Sequence, residues 1–408
     1  MQIAVIAQSI ASVFNAKIKK RHQGLKNQNA REPQSKESDV SRYLFHCASH
    51  GEYEQAKPLI ERLRAQNSQN VVIASFFSTS GYDVAVAEQY VDEIYYLPID
   101  TRSRMRRFLN AVDPTFVFII KYEIWCNFIK ELKIRKIPIY LISARFHQSQ
   151  RFFKWYGGVF RQAIQSIDKI FVQDSNSQKL LRTIDVDSII SGDTRADRQL
   201  VNNHNIHPVM KYLLKWKQEK PLLILGSVWE DGWSIFSPVI HEIIKDYKVL
   251  IAPHEIREKF IAQMESDIIG EVARWSTLAL EETSDAAVII LDTIGDLQYA
   301  YGAGDVAYVG GGFKQGLHNV LEPASCGLPV IFGPNIQDYA EAKDLMSVGA
   351  AWSFKSSKQL RDLVVRLQDN DNRRIAASKA KTYVNESRGA TDIIINHFIE
   401  NHQAHEGS

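Results

Sequence analysis

From Arg42 onward, short apolar runs alternate with longer stretches of helical periodicity, and no other feature of the chain restricts its fold so tightly. Runs of strand length that are apolar on both faces belong to parallel sheets covered by helices on either side. The first series of expected strands covers residues 43–48, 71–76, 94–97, 116–120, 139–142, 170–172 and 188–191. A second series covers 222–225, 249–251, 288–291, 306–309 and 330–332. The α/β reading is therefore two Rossmann-like, doubly wound domains, 42–200 and 201–389, joined near residues 196–220. A ligand cleft is expected between them, because such sheets bind at the carboxyl ends of their strands. A last helical segment, 390–408, could return to the first domain.

Composition removes several classes of function. Of 408 residues, 45% are hydrophobic and 24% charged, ordinary for a globular protein. With 49 Lys+Arg against 47 Asp+Glu, the net charge of +2 leaves no global basic field for duplex DNA, so no nucleic-acid partner is expected. Three scattered cysteines, Cys47, Cys126 and Cys326, give neither a disulfide framework nor a zinc spacing, which suits a reducing compartment.

The N-terminus is more particular. Ile3, Ile6, Ala7, Ile10, Val13 and Phe14 recur at helical spacing and are followed by Lys17, Lys19, Lys20 and Arg21. In a secretory signal the charges would come first, so that reading is rejected. Residues 1–21 read either as a helix packed on the domain or as an amphipathic anchor at a membrane surface. Residues 22–41 are polar and read as a flexible linker, with folded structure beginning near Arg42.

Chemistry is sought in the loops after the strands. The first strand runs into Ser49-His50-Gly51-Glu52 and then a helix; Gly51 lets backbone approach a ligand, and helix-start N–H groups favour an anion. Glu52 is either a carboxylate interacting with the helix dipole or a general base. Glu123 emerges at the end of the fourth strand, Arg145 after the fifth, and Arg195 after the last strand of this half. An Arg near a carboxylate is commonly a structural ion pair, yet four charged residues at successive strand ends of one sheet also suit a substrate site. Arg102, Arg104, Arg106 and Arg107 form either a solvated helix face or a phosphate-binding patch.

In the second half, Gly310-Gly311-Gly312 follows a strand and allows backbone to lie against a phosphate or sugar. His318-Asn319-Val320-Leu321-Glu322-Pro323 then opens a helix, where Asn319 and Glu322 could hold a phosphate and a ribose diol. The segment closes with Gly327-Leu328-Pro329-Val330-Ile331-Phe332-Gly333-Pro334.

With these motifs the chain resembles the nucleotide-sugar glycosyltransferases of the two-Rossmann-domain GT-B class, and within them the 3-deoxy-D-manno-octulosonic acid (Kdo) transferases. Residues 42–52, 113–127, 139–145, 188–197 and 293–345 carry the likeness. The family's Ser-x-Gly-Glu loop is matched by Ser49, Gly51 and Glu52, which the resemblance makes the catalytic base and its surroundings. Its Glu-Thr-Glu-Leu-Trp-Pro-Asn appears as Lys121-Tyr122-Glu123-Ile124-Trp125-Cys126-Asn127, with the first carboxylate replaced by lysine. Its Gly-Gly-His-Asn-x-Leu-Glu-Pro appears as Gly316 to Pro323, with Leu317 replacing a glycine. The resemblance implies that Asn319 and Glu322 contact the cytidine monophosphate of CMP-Kdo, Glu322 at the ribose. Ser227, Pro253 and His254 are weaker donor-loop matches, and Ser49, Gly51, Arg145 and Arg195 are candidates on the acceptor side.

The implied reaction is inverting transfer of Kdo from CMP-Kdo to a lipid A precursor in lipopolysaccharide core biosynthesis, with neither metal nor other cofactor. The implied location is the cytoplasmic face of a bacterial inner membrane, which favours the anchor reading of residues 1–21. The alternatives are another enzyme of this fold using a UDP-sugar, a transferase or an epimerase, and a non-catalytic carbohydrate- or lipid-binding protein. Glu52, Asn319 and Glu322 occurring together speak against the last. The motifs set neither the oligomeric state nor the number of Kdo residues added.

Overall fold

A computed structural model describes residues 16–29, 40–88, 90–198, 206–279, 283–337 and 339–406. The expected apolar helix at 3–14 lies outside these residues. The chain divides into two compact units, Met1–Arg198 with Ser387–Ser408, and Gln199–Glu386.

The first unit is built on seven strands, β1 (Arg42–Cys47), β2 (Val71–Phe76), β3 (Glu93–Tyr96), β4 (Phe116–Ile120), β5 (Ile139–Ala144), β6 (Lys169–Val172) and β7 (Ile189–Ile190). They pair in parallel in the order β3-β2-β1-β4-β5-β6-β7. The chain starts at the centre, winds to one edge, and returns beside β1 to build the other half. Helices Arg102–Val112, Cys126–Ile134 and Gly158–Gln165 cover one face through Met105, Phe108, Phe128, Leu132 and Ile164. On the other face lie Tyr53, Leu59 and Ile60 of helix His50–Gln66, together with Ile394, Ile395 and Phe398 of helix Ala390–Glu406.

That last helix is seated by one ring. Phe398 touches Phe116 (5.2 Å between centroids), Tyr140 (5.4 Å), Phe118 (5.5 Å) and Tyr43 (5.9 Å), edge-on or tilted. Asp197 fixes its start by accepting from the backbone N–H groups of Gly389 and Thr391, both at 2.6 Å. The division between the units accordingly falls at Ser387, a few residues before the expected boundary at 389.

Residues 22–29, read as linker from their polarity, are instead part of a helix, Ala16–Asn29, that packs on the first unit. It has no apolar stripe, and specific contacts hold it. The Arg21 guanidinium donates to the Leu97 carbonyl (2.7 Å) and lies 4.2 Å from the centre of the Phe77 ring. Gly24 allows the close approach, since a Cβ there would sit 2.4 Å from the Tyr96 ring. The Gln28 amide pairs with both backbone groups of Tyr96, donating to its carbonyl (3.0 Å) and accepting from its N–H (2.8 Å). Because β3 is the sheet edge, Gln28 acts there as a substitute for a neighbouring strand.

The second unit repeats the plan with β8 (Leu222–Val228), β9 (Lys248–Pro253), β10 (Val272–Arg274), β11 (Val288–Ile290), β12 (Val306–Val309), β13 (Val330–Phe332) and β14 (Ala351–Ser353), ordered β10-β11-β9-β8-β12-β13-β14 and all parallel. Strands β10 and β14 were not anticipated; each is three residues long, at a sheet edge, and includes a polar residue, Arg274 or Ser353. None of the described helices is long and apolar enough to cross a membrane.

Phe398→Ala is expected to destabilise the protein by about 3–5 kcal/mol, the usual cost of emptying a phenylalanine site. Chemical denaturation followed by circular dichroism reads this; an unchanged midpoint would mean that the terminal helix is not integral to the first unit.

Candidate functional site

Each sheet reverses its winding direction at one place, between β1 and β4 in the first unit and between β8 and β12 in the second. Ligands of such sheets bind outside the carboxyl ends of the strands at this reversal. The carboxyl ends of those four strands and the segments that follow them hold Glu52, Glu123, Ser227, Gly310–Gly312, Asn319 and Glu322.

In the first unit, Ser49 precedes the seventeen-residue helix His50–Gln66, and its backbone N–H donates to Glu52 Oε2 at 3.0 Å. Glu52 is only 6% exposed. Burial pushes its carboxyl up, the Glu123 carboxylate pushes it further, and Lys121 with the backbone N–H of Ser49 opposes them; the result is about 7. Glu123 is itself raised, mainly by burial, with Lys121 again opposing. The two carboxylates from β1 and β4 thus share one electrostatic environment with one lysine. Lys121 has a left-handed backbone (φ 60°), as has Ser143 near the end of β5 (φ 50°). Such conformations are uncommon for residues other than glycine and concentrate at functional sites.

Beneath this pair, His46 is fully buried, with Nδ1 3.0 Å from Ser75 Oγ, and burial lowers it to about 4, so it is neutral. Trp125 packs between His46 (6.4 Å) and Phe77 (5.0 Å). Gly51 is exposed, and a Cβ added there would meet nothing within 4 Å.

The two candidate arginines are engaged in ion pairs. Arg145 Nε lies 3.4 Å from Asp174. Arg195 pairs with Asp193 at 2.7 Å, and Gln55 Nε2 also donates to that carboxylate at 3.1 Å. Burial alone would raise Asp193, but the Arg195 charge and these hydrogen bonds bring it down to about 2.

In the second unit the glycine triplet has a packing cause. A Cβ on Gly310 would lie 1.8 Å from the Ser227 carbonyl oxygen, one on Gly311 2.0 Å from the Gly316 carbonyl oxygen, and one on Gly312 2.9 Å from that of Gly333. Gly311 and Gly312 also have left-handed backbones. The N–H groups of Gly310 and Gly312 already donate to the carbonyls of Gly226 (2.8 Å) and Gln315 (2.9 Å). The triplet therefore folds the loop against its own chain. Ser227, also left-handed (φ 53°), sits where the register of β8 against β9 shifts.

Asn319 Nδ2 donates to Glu322 Oε1 (3.1 Å), while its Oδ1 accepts from the Leu321 N–H (3.1 Å). This fixes Glu322 in the first turn of the five-residue helix Leu321–Ser325. Tyr301 lies near enough for the Glu322 charge to add to the effect of its own burial in raising the phenol.

A cluster of which His254 alone is a candidate from the sequence is formed by Trp229, His254 and His318, which follow β8, β9 and the glycine loop. His254 stacks on Trp229 (4.0 Å), His318 lies 4.5 Å from His254, and the Trp229 indole N–H donates to His318 Nε2 (3.0 Å). Such a bond requires an unprotonated Nε2 on His318. Pro253 ends β9, and the His254 N–H donates to the Val228 carbonyl (2.9 Å). Only a tryptophan after a strand and two distant histidines marked this cluster in the sequence, with no spacing to connect them. Among the described residues no cluster of His, Cys, Asp and Glu is arranged to hold a metal ion.

The sequence profile of the family described as 3-deoxy-D-manno-octulosonic-acid transferase (kdotransferase) matches residues 16–198. A 3-deoxy-D-manno-octulosonic acid transferase of Chlamydophila psittaci is 28% identical over 361 residues, 85% of this chain and 82% of that protein. That of Haemophilus influenzae is 27% identical, over 85% and 84%. Over most of its length the chain is similar to the Kdo transferases.

Among solved structures, UDP-GlcNAc 2-epimerase from Neisseria meningitidis bound to UDP-GlcNAc superposes with a TM-score of 0.60 at 15% identity, over 88% of this chain and 100% of that one. MurG of Acinetobacter baumannii gives 0.53 at 14% identity, over 87% and 99%. These establish the GT-B fold alone. Lys121 stands where the resemblance to Kdo transferases leads one to expect a carboxylate, and its charge opposes the rise of both Glu52 and Glu123.

Two outcomes are expected. Folding raises Glu52 from 4.5 to about 7, so between these values the folded protein binds more protons than the unfolded chain and stability falls as pH rises. Glu52→Gln should then stabilise the protein at about pH 8 by on the order of 3 kcal/mol, a gain that vanishes below the unfolded value. Denaturation midpoints across pH read this; no gain at high pH would contradict the buried, raised carboxyl. Lys121→Met should lift the Glu52 titration further, and Lys121→Arg should restore it, as read by carboxyl-carbon NMR.

Proposed function

We propose that the protein transfers Kdo from CMP-Kdo to a hydroxyl of lipid IVA, a phosphorylated, acylated glucosamine disaccharide, with inversion at the anomeric carbon, at the cytoplasmic face of the inner membrane. The observation that carries this reading is Glu52, a buried carboxyl held at about 7 within the loop that matches the family's base motif. A base with this value is partly ionised at neutral pH and retains enough basicity to take a proton from an alcohol.

In the step proposed, the acceptor oxygen bonds to the anomeric carbon as its proton passes to Glu52, while the bond from that carbon to the CMP phosphate oxygen breaks. Glu123 keeps the Glu52 carboxyl raised, and Lys121 limits the rise. In the second unit, Glu322, oriented by Asn319, accepts from the ribose hydroxyls, and the strand ends at Ser227, Pro253 and His254 receive the rest of the nucleotide. The acceptor phosphates are assigned to cations of the first unit, with Arg145 and Arg195 as candidates; their ion pairs with Asp174 and Asp193 set their orientation. The donor carries its own leaving group, so the reaction as proposed invokes no metal or redox cofactor.

The decisive experiment incubates the purified protein with CMP-Kdo generated in situ and tetraacylated lipid A precursor, and weighs the lipid product. A mass gain of one or more Kdo units is expected, and no gain would remove the reading. Glu52→Gln should lower turnover by about 10²- to 10⁴-fold without loss of fold. Glu322→Ala should weaken CMP binding; competition by UDP in preference to CMP would instead favour a UDP-sugar enzyme.

A further inference from the structure

Between β5 and the first turn of the helix Gly158–Gln165, three large apolar side chains are exposed. Trp155 is 90% exposed, more than any other large apolar side chain among the described residues, with Val159 at 65% and Tyr156 at 61%. Their support is rigid. Gly157 is forced by packing, as a Cβ there would lie 1.9 Å from the Arg151 carbonyl oxygen. Its N–H donates to the Lys154 carbonyl (2.9 Å), and the Arg161 N–H donates to the Gly157 carbonyl (2.9 Å). Phe152 is buried against Phe146 (5.8 Å) and Phe160 (6.2 Å), and the Arg151 guanidinium lies over Phe160. Trp155 and Tyr156 meet edge to face at 5.6 Å on top of this base.

The stretch of chain that contains them carries charge of one sign, and the nearby acids Asp168 and Asp174 are paired with Lys133 and Arg145. From residue 132 to residue 167 the chain contains no Asp or Glu, while Lys133, Arg135, Lys136, Arg145, Arg151, Lys154 and Arg161 all fall there. The helices Arg102–Val112, Cys126–Ile134 and Gly158–Gln165 are successive neighbours on one face of the first sheet, so the arginines of 102–107 belong to the same face. Glu131, the acid just before the stretch, is paired with Arg102 and Arg106.

We propose that Trp155, Tyr156 and Val159 enter the boundary between headgroups and acyl chains of an anionic bilayer, with Arg151, Lys154 and Arg161 against the lipid phosphates. Tryptophan and tyrosine prefer that depth because each combines an apolar body with a polar edge. Basic side chains beside them gain from the negative potential of an anionic leaflet, whereas a neutral bilayer offers no such attraction. The inference rests on the proposed function in this respect: an enzyme that modifies a glycolipid works where that lipid is embedded, and this surface would hold the first unit there independently of residues 1–21.

The test uses the full chain with vesicles of phosphatidylglycerol and phosphatidylethanolamine, or of phosphatidylcholine alone, carrying brominated acyl chains that quench nearby indoles. Of the seven tryptophans none lies in residues 1–21, so quenching reports on the folded protein and not on an N-terminal anchor. Wild type should be quenched on anionic vesicles, Trp155→Phe should lose most of that quenching while still floating with the vesicles, and the double variant Trp155→Ala with Tyr156→Ala should float several-fold less. Equal quenching of wild type and Trp155→Phe would overturn the proposal, as would equal binding to phosphatidylcholine. Self-association abolished in the double variant, without any Trp155 quenching, would assign the patch to a second copy of the chain and overturn it too. Transfer to detergent-dispersed acceptor should be unchanged in the double variant. Failure of transfer in wild type sinks the enzymatic reading, whereas normal transfer without Trp155 quenching sinks only the membrane contact.

Discussion

Two parallel strands cannot be joined by a tight turn, and nearly everything in this molecule follows from that. The chain must cross back over one face of the sheet between paired strands, and it does so with one handedness. All carboxyl ends then fall on one edge. In each unit the chain begins in the middle of its sheet, builds one side, and returns to build the other, so β1 lies beside β4 and β8 beside β12. Glu52 and Glu123, far apart in sequence, acquire a shared electrostatic environment because their strands are hydrogen-bonded neighbours. The same geometry places Ser227 directly against Gly310.

Burial alone does not decide what a carboxylate becomes. Glu52 and Glu54 lie on one helix and are equally buried, at 6% exposure. Burial would raise both, but Glu54 has His50, the fully buried Lys57 and Arg198 around it and is held well below the ordinary range. Glu52 has another carboxylate nearby and, against it, one cation, Lys121, with the backbone N–H of Ser49, and is raised. The first arrangement is an ion-pair cluster whose charges satisfy one another. The second leaves a carboxyl that exchanges its proton near neutral pH, present in both its neutral and its ionised form there.

What the sequence disclosed divides along the same physical line. Central strands such as β4 and β12 are legible because both faces are buried and their residues form unbroken apolar runs. Three-residue edge strands such as β10 and β14 are not, since pairing on one side only imposes little on composition. The helix Ala16–Asn29 is illegible for a different reason: its attachment depends on Arg21, Gly24 and Gln28 reaching features of β3 and its surroundings, and polar anchors leave no periodicity. At the site, strand ends located Glu52, Glu123, Asn319 and Glu322, but the stack of Trp229, His254 and His318 depends on three loops converging, which a one-dimensional pattern does not encode.

Glycine shows how one signal can have two physical causes. Gly310, Gly311 and Gly312 and Gly51 all occupy loops or helix starts after central strands, and in sequence all could be read as places where a ligand approaches the backbone. At the triplet, any side chain would run into the carbonyls of Ser227, Gly316 and Gly333, and two of the three N–H groups are committed within the protein. The fold alone accounts for those glycines. At Gly51 a side chain would meet nothing, so packing does not ask for glycine there. Of these four positions, only Gly51 has a side-chain volume left open by the first unit itself, and it adjoins Glu52. A glycine that packing leaves unexplained is therefore better evidence of a ligand surface than a glycine cluster that packing requires.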